Sequence, residues 1–206
     1  AATACASAAG GSEDAVARRP DPAKRERIVR TTRDLLRRRG VAGTTMLEVV
    51  AEAGASRGSL YHYFPGGRSE MVEDAVRDAV AEYSEGLDAL RGVEPSVAIP
   101  LFVDAWRCEA EASDYTAGCP VVAAALGGES EPAGRDLAGA AFADWTAVIA
   151  DYLRDCGVPR PRAEPLAMLA LSAVEGAVVL SLAQRSSAPM QRVADELVRL
   201  IEAERA

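Results

Sequence analysis

The sequence predicts an all-α protein: an N-terminal three-helix unit containing a helix-turn-helix, followed by a larger C-terminal helical domain. Three observations carry the fold class. Apolar residues recur at helical spacing through most of the 206 residues. Glycine and proline collect at the joints between those stretches, and no alternating Val/Ile/Thr runs are present. Residues 44–68, TTMLEVVAEAGASRGSLYHYFPGGR, read as two short crossed helices around one glycine turn. A hydrophobic content of 49% is ample for one large domain or two small ones.

In order along the chain, residues 1–19 are small and polar with no periodic apolar face, so a disordered tail is expected there. The alanines are too weakly hydrophobic, and the arginines follow rather than precede them, so no secretory leader is expected. Arg18 and Arg19 are candidates for a flexible arm on a phosphate backbone, or for a merely solvated tail. Asp21-Pro22 starts a first helix through Ile28, Leu35 and Leu36 that ends at Gly40, its basic residues mostly on the solvent side. Ser69 to Arg91 is expected as one long connecting helix, and Ser96 to Ala112 as another. After an irregular joint at 113–118, Cys119-Pro120 opens a short apolar helix to Leu126, and 127–132 is a loop. Leu137 to Leu153 forms a stripe with bulky aromatics. Residues 166–183 are apolar almost all round and long enough to cross a membrane. Glu175 in mid-segment, costing about 2.5–3.5 kcal/mol in a bilayer, points instead to a helix buried on several faces, and no membrane partner is expected. Met190 to Glu204 is amphipathic. The expected domains are therefore the tail 1–19, a DNA-binding domain 20–68, and an effector-binding and dimerisation domain 69–206.

Charge divides at the same place. The chain is net −8, which argues against a protein basic throughout. Residues 18–70 nevertheless hold twelve basic against six acidic side chains, and residues 71–206 eleven against twenty-three. A basic head on an acidic body draws DNA to one end.

The helix-turn-helix chemistry is local. Thr45 caps the first short helix, with Glu48 placed for a capping box. Gly54 reaches positive φ at no steric cost and makes the turn. Ser56 caps the second helix, whose Leu60 and Phe64 share one face. Arg57, Gly58, Ser59, Tyr61, His62 and Tyr63 remain outward. This set suits a recognition helix: Arg57 can read guanine bidentately, Ser59 and His62 can bond base edges or phosphate, and bare Gly58 admits close approach. The alternative is a packed three-helix fragment with a decorative polar face.

Thr44-Thr45, Gly54, Ser56 and the run Gly58 to Pro65 resemble the DNA-binding signature of the TetR/AcrR family of bacterial transcriptional regulators. The resemblance implies phosphate contacts by Thr45, Ser56, Tyr61 and Arg68, with Thr44 beside them. Arg68 replaces the usual lysine and is displaced by one residue through Gly66-Gly67, and Val50 stands where a small alanine is usual. In the body, Gly118-Cys119-Pro120-Val121-Val122 and Val174-Glu175-Gly176-Ala177 are similar to the LmrA and YxaF branch, whose members derepress genes on binding aromatic compounds. This implies an effector pocket lined by Phe102, Trp106, Tyr115, Cys119, Val122, Phe142, Trp145 and Met168, for a small apolar or aromatic molecule. Aromatics on helical stripes are also what an ordinary core contains.

An all-round apolar helix followed by an amphipathic one suggests a surface shared between subunits, as the resemblance also implies. Leu169, Ala173, Gly176, Leu180, Val193, Leu197 and Ile201 are its candidate residues. A homodimer reading two half-sites of a palindromic operator follows from the same logic. The four cysteines, Cys5, Cys108, Cys119 and Cys156, lack metal spacing, and His62 is the only histidine, so no metal or other cofactor is expected. Reduced thiols and a cytoplasmic location are expected; Cys119 at a helix N-terminus is a candidate oxidant sensor or, more simply, a small buried side chain. With no phosphate-cradling glycine loop, nucleophile elbow or HExxH, the chain is not expected to be an enzyme. The expected function is a ligand-responsive repressor. The alternative is a helical dimeric ligand-binding or protein-interaction module with no operator-specific role.

Overall fold

The computed structural model describes residues 21–205; the expected tail, with Arg18, Arg19 and Cys5, lies outside the described residues. Among those described, every regular element is helical. The head comprises α1 (Pro22–Arg39), α2 (Met46–Ala53) and α3 (Arg57–Tyr63). The body comprises α4 (Gly67–Asp88), α5 (Pro95–Ala112), α6 (Pro120–Ala125), α7 (Pro132–Asp155), α8 (Arg160–Gln184) and α9 (Ala188–Arg205), with one 3₁₀ turn at Gly128–Ser130.

The helix starts follow from cap chemistry. Asp21 accepts the Ala23 amide at 3.1 Å, with Pro22 in the first turn, and Gly40 at φ 65° ends α1. Helices α7 and α8 begin five and six residues earlier than their apolar stripes, at Pro132 and Arg160-Pro161. Their first turns carry few large apolar residues, so periodicity missed them where the proline position marks them.

One core runs from the head into the body. Ile28, Leu36, Leu60 and Phe64 are continuous with Met71, Val72 and Val76 of α4, and then with Trp106, Val121 and Trp145. A smaller cluster of Leu153, Val158, Leu166 and Ile201 closes the far end. Helix α4 packs against α1 on one side and α7 on the other; α8 lies against α5, α7 and α9. Helix α8 is long and apolar enough to cross a membrane, yet Leu166, Ala167, Val174, Ala177, Val178 and Ser181 are buried within the protein.

The basic residues of α1 lie mostly on the solvent side, as expected, but several of its arginines are also committed to ion pairs. Arg25 pairs with Asp74, Arg33 with Asp78 and Glu82, and Arg37 with Glu109, all acids of the body, while Arg38 and Arg39 pair with Glu52 and Glu48 of α2. The positive charge counted in the head is therefore largely matched from within. Its first use is to fasten α1 to α4 and α5.

Candidate functional site

The turn before α3 is built from short-range hydrogen bonds. The Glu48 amide donates to Thr45 Oγ1 at 3.3 Å, and the Thr45 amide donates to Glu48 Oε2 at 3.0 Å, closing the capping box. Hydrogen bonds from Thr45, and then the charge of Arg39, hold the Glu48 carboxyl below the usual carboxylate range. Gly54 sits at φ 58°, ψ 35°, and the Ser59 amide donates to Ser56 Oγ at 3.1 Å. Leu60 and Phe64 are then fully buried, and Arg57, Gly58, Tyr61 and His62 project on one exposed face, with Tyr61 61% exposed and Ser59 half-buried beside them. Arg57 makes no ion pair among the described residues, unlike Arg25, Arg33 and Arg37 of α1. The face thus combines an uncommitted guanidinium, hydroxyls, an imidazole and an accessible backbone at Gly58, the donor set that holds phosphates and reads base edges.

Three of the residues expected at this surface are engaged elsewhere. Thr44 is buried, and its hydroxyl donates to the Gly40 carbonyl at 2.8 Å, so it stabilises the α1–α2 turn and offers nothing to solvent. Tyr63 is half-buried, and its phenol oxygen accepts the Asp21 amide at 2.9 Å, tying α3 to the start of α1. Arg68 is turned inward. It donates to the carbonyls of Thr44 and Val41 and pairs with Glu131, which is 1% exposed and also accepts from Ser69 Oγ at 2.9 Å. A guanidinium with these donors committed is a latch between head and body, not a phosphate clamp. The displacement by Gly66-Gly67 carries it there.

A cavity of about 100 Å³ lies inside the body. Tyr83 and Leu87 of α4, Ile99, Phe102 and Trp106 of α5, Trp145, Ile149 and Tyr152 of α7, Leu171, Val174 and Glu175 of α8, and Leu197 and Ile201 of α9 are among its lining residues. Tyr83 stands 5.0 Å from Trp106 and 6.0 Å, edge-on, from Trp145, centroid to centroid. The polar ends of two of the rings are satisfied outside the cavity: Trp145 Nε1 donates to Ser84 Oγ at 2.9 Å and the Tyr152 hydroxyl to the Val93 carbonyl at 2.7 Å. These two rings are thereby fixed as wall.

Of the expected pocket residues, Phe102, Trp106 and Trp145 are brought together here. Tyr115 packs on the core from the α5–α6 loop, and Phe142 stacks edge-on behind Trp145 at 5.6 Å. Met168 is 52% exposed on the outer face of α8. Cys119 and Val122 line a second, open groove of about 380 Å³ between α1, α6 and α8. Glu175 borders both spaces. The sequence had marked Glu175 only as a charge too costly for a bilayer; as the sole charge in an apolar run it was also the signal for a polar group inside this body.

Cys119 caps α6, its sulfur accepting the Val122 amide at 3.5 Å. Burial, and then the neighbouring Glu175 charge, push its thiol well above the ordinary value. A buried thiol held protonated is not an oxidant sensor, so the small-apolar reading of Cys119 is the one that fits.

On α8 an apolar stripe remains outside. Met168, Leu169, Val179 and Leu180 are each about half exposed, interleaved with exposed Ser172 and Gly176 and half-buried Ala173. Helix α9 differs from expectation: Leu197 and Ile201 are buried, Val193 is half-buried against the core, and the outer face carries Asp195, Glu196 and Arg199. Its apolar stripe is consumed by α5 and α8 of its own subunit.

Comparison with known proteins agrees with this architecture. Residues 28–75 match the model of bacterial regulatory proteins of the tetR family, and residues 95–196 match that of the transcriptional regulator LmrA/YxaF-like C-terminal domain. An uncharacterized HTH-type transcriptional regulator of Mycobacterium tuberculosis, Rv0196, is 34% identical over 188 residues, 87% of this chain and 95% of that protein. The HTH-type transcriptional regulator LmrA of Bacillus subtilis is 29% identical over 174 residues, 82% and 92% of the two chains. Among solved structures, a TetR transcriptional regulator from Chloroflexus aurantiacus superposes with a TM-score of 0.74 at 25% identity, covering 88% of this chain and 95% of that one. The regulatory protein TetR from Rhodobacter sphaeroides does so with 0.76 at 19%, covering 84% and 96%. The chain thus belongs to the TetR family of bacterial transcriptional regulators, with an LmrA/YxaF-like C-terminal domain, and the helix-turn-helix of α2 and α3 lies within the part matched to the tetR family model.

Proposed function

We propose that the chain is a ligand-responsive repressor that binds a palindromic operator as a homodimer and leaves it when a small effector enters the body cavity. Residues 20–68 form the DNA-binding domain and 69–206 the effector-binding and dimerisation domain. Thr45, Ser56, Arg57, Gly58, Ser59, Tyr61 and His62 meet the DNA, and the outer stripe of α8, with Met168, Leu169, Gly176 and Leu180, meets the second subunit. The protein acts where the DNA is, in the cytoplasm. The effector is a small molecule with an aromatic or apolar body, since the cavity wall is almost wholly apolar.

The observation that carries this reading is that one helix serves both ends. Met71, Val72 and Val76 of α4 belong to the core shared with the head, and Tyr83 and Leu87 of the same helix line the cavity. A ligand that shifts the C-terminal half of α4 shifts the floor of the head. In a dimer this changes the spacing of two recognition helices that must match half-sites about 34–36 Å apart, or multiples of that.

The test is a mobility shift on the DNA upstream of the chain's own gene, at several salt concentrations, with wild type and Tyr61→Ala. Tight, salt-dependent binding that the variant loses is expected. Binding no better than to random DNA, there and in a genome-wide selection, would overturn the operator reading in favour of a helical ligand-binding or protein-interaction dimer.

A further inference from the structure

We propose that the ligand of the body cavity is an amine: an aromatic or alicyclic molecule whose protonated nitrogen pairs with the carboxylate of Glu175. The inference rests on the reading of the cavity as an effector site and names the chemistry that site selects.

Glu175 is placed in mid-helix on α8, at the boundary of a partly open, mostly apolar space and of the neighbouring groove. Its Oε2 is removed from solvent and has no hydrogen-bond partner among the described residues. Among the described residues no hydrogen bond reaches the carboxyl, and the thiol of Cys119, a weak donor, is its nearby polar neighbour. Buried polar oxygens in native proteins are almost always partnered, and one left open at the wall of a cavity is a place for a ligand's donor. An uncharged aromatic molecule would fill the space and leave that oxygen as it is.

The surroundings favour a cation over a neutral donor. Among the described residues no cation pairs with the group: Arg91, the basic side chain that lines the cavity, lies beyond the end of α4 and is held by Asp88 at 2.9 Å. Three aromatic rings, Tyr83, Trp106 and Trp145, cluster on the same wall, and ring faces attract an ammonium group. Burial, opposed only by the nearby Cys119 thiol, pushes the Glu175 carboxyl up to about 7, so the group is open to stabilisation by an arriving positive charge. The apolar remainder of the lining accepts the hydrocarbon part. A cavity of about 100 Å³ suits a single-ring body unless the wall yields.

The experiment is a titration of the intact protein with arylalkylamines from benzylamine to 3-phenylpropylamine, each against its uncharged alcohol counterpart. The readout is tryptophan emission. Both tryptophans of the chain, Trp106 and Trp145, line the cavity, so entry of either class is seen directly. In wild type the amine should bind about tenfold or more tightly than the matched alcohol, as expected for a charged hydrogen bond at a buried site. Glu175→Gln should abolish that preference while keeping the alcohol affinity, and Glu175→Asp should retain it. Circular dichroism melts of both variants confirm that they are folded.

Equal affinity of amine and alcohol in wild type, or an amine preference that survives in Glu175→Gln, would overturn the proposal while leaving the cavity a site for neutral apolar effectors. If no probe of either class changes the emission, the effector reading of the cavity falls with it.

Discussion

The pair between Arg68 and Glu131 anchors the guanidinium that also holds the Thr44 and Val41 carbonyls of the head, and its removal has a calculable effect. Glu131 is 1% exposed, and both its oxygens are engaged, by Arg68 Nη1 and Ser69 Oγ. Truncation to alanine leaves the Arg68 guanidinium with only the carbonyls of Thr44 and Val41. Breaking a fully buried ion pair by deleting one partner costs about 3–5 kcal/mol. Because the Arg68 side chain is 30% exposed, water recovers part of this, and about 2–3 kcal/mol is expected for Glu131→Ala. For a chain of this length that is a fall in melting temperature of about 5–10 °C, measured by circular dichroism. Glu131→Gln, which keeps an acceptor but not the charge, should lose less.

The same contact separates two roles for Arg68. As a latch, it holds the turn that ends at Thr45, the cap of α2; Arg68→Ala should then lower the melting temperature as Glu131→Ala does and leave the salt dependence of operator binding unchanged. As a phosphate ligand, its loss should flatten the slope of log K against log salt by about 0.9 and leave the melt alone. A melting temperature for Glu131→Ala within a degree of wild type, together with a flattened slope for Arg68→Ala, would refute the latch.

Other substitutions have equally direct outcomes. Ser56→Ala removes the oxygen that accepts the Ser59 amide at the start of α3 and should destabilise the protein by about 1 kcal/mol in a urea melt. Leu180→Glu, on the exposed stripe of α8, should convert a dimer to a folded monomer in sedimentation velocity. Glu175 sets a pH dependence: with its folded value raised to about 7 from 4.5, the native state binds the extra proton between those values, so this group's contribution to stability falls as pH rises from 4.5 to 7. Cys119 and Tyr83 beside it are both pushed upward by burial and stay neutral across that window. Chemical denaturation should therefore show Glu175→Gln gaining on wild type over that range, by about 3 kcal/mol at most.

What was legible in the sequence was what short-range chemistry decides. The Thr45–Glu48 capping box, the turn at Gly54 and the Ser56 cap each need only residues within a few positions, and each is found where the spacing put it. What was not legible depends on partners far along the chain. Thr44 and Thr45 are chemically alike, yet one hydroxyl is spent on Gly40 inside the turn and the other lies outside. Arg68 keeps the charge that a phosphate contact requires, but Glu131, sixty-three positions away, claims it. The α9 stripe could not reveal whether it faced its own subunit or another, because a buried helix face reads the same in both cases. Helix α8, apolar all round, has inner and outer faces that only packing distinguishes.

The motif Gly118-Cys119-Pro120 has a structural reason that also bears on how cavity and head communicate. A Cβ on Gly118 would stand 3.1 Å from Leu182 Cδ1, tight enough that the Leu182 side chain on α8 would have to yield by a few tenths of an ångström. Close approach lets Gly118 exchange two hydrogen bonds with the last turn of α1: its amide donates to the Arg37 carbonyl at 3.0 Å, and Arg37 Nε donates to its carbonyl at 3.0 Å. The next residue, Cys119, lies close enough to Glu175 for each to shift the other's ionisation, and both border the groove between α1, α6 and α8. A ligand that draws the Glu175 carboxylate toward itself therefore draws it away from Cys119. Any shift of Cys119 must either break the Gly118–Arg37 pair or carry the end of α1 with it. Since α1 is also fastened to α4 through Arg25 and Arg33, moving its end tilts the unit on which α2 and α3 are packed. On the proposed reading, an effector in the cavity reaches the recognition helix through these hydrogen bonds and the packed helices.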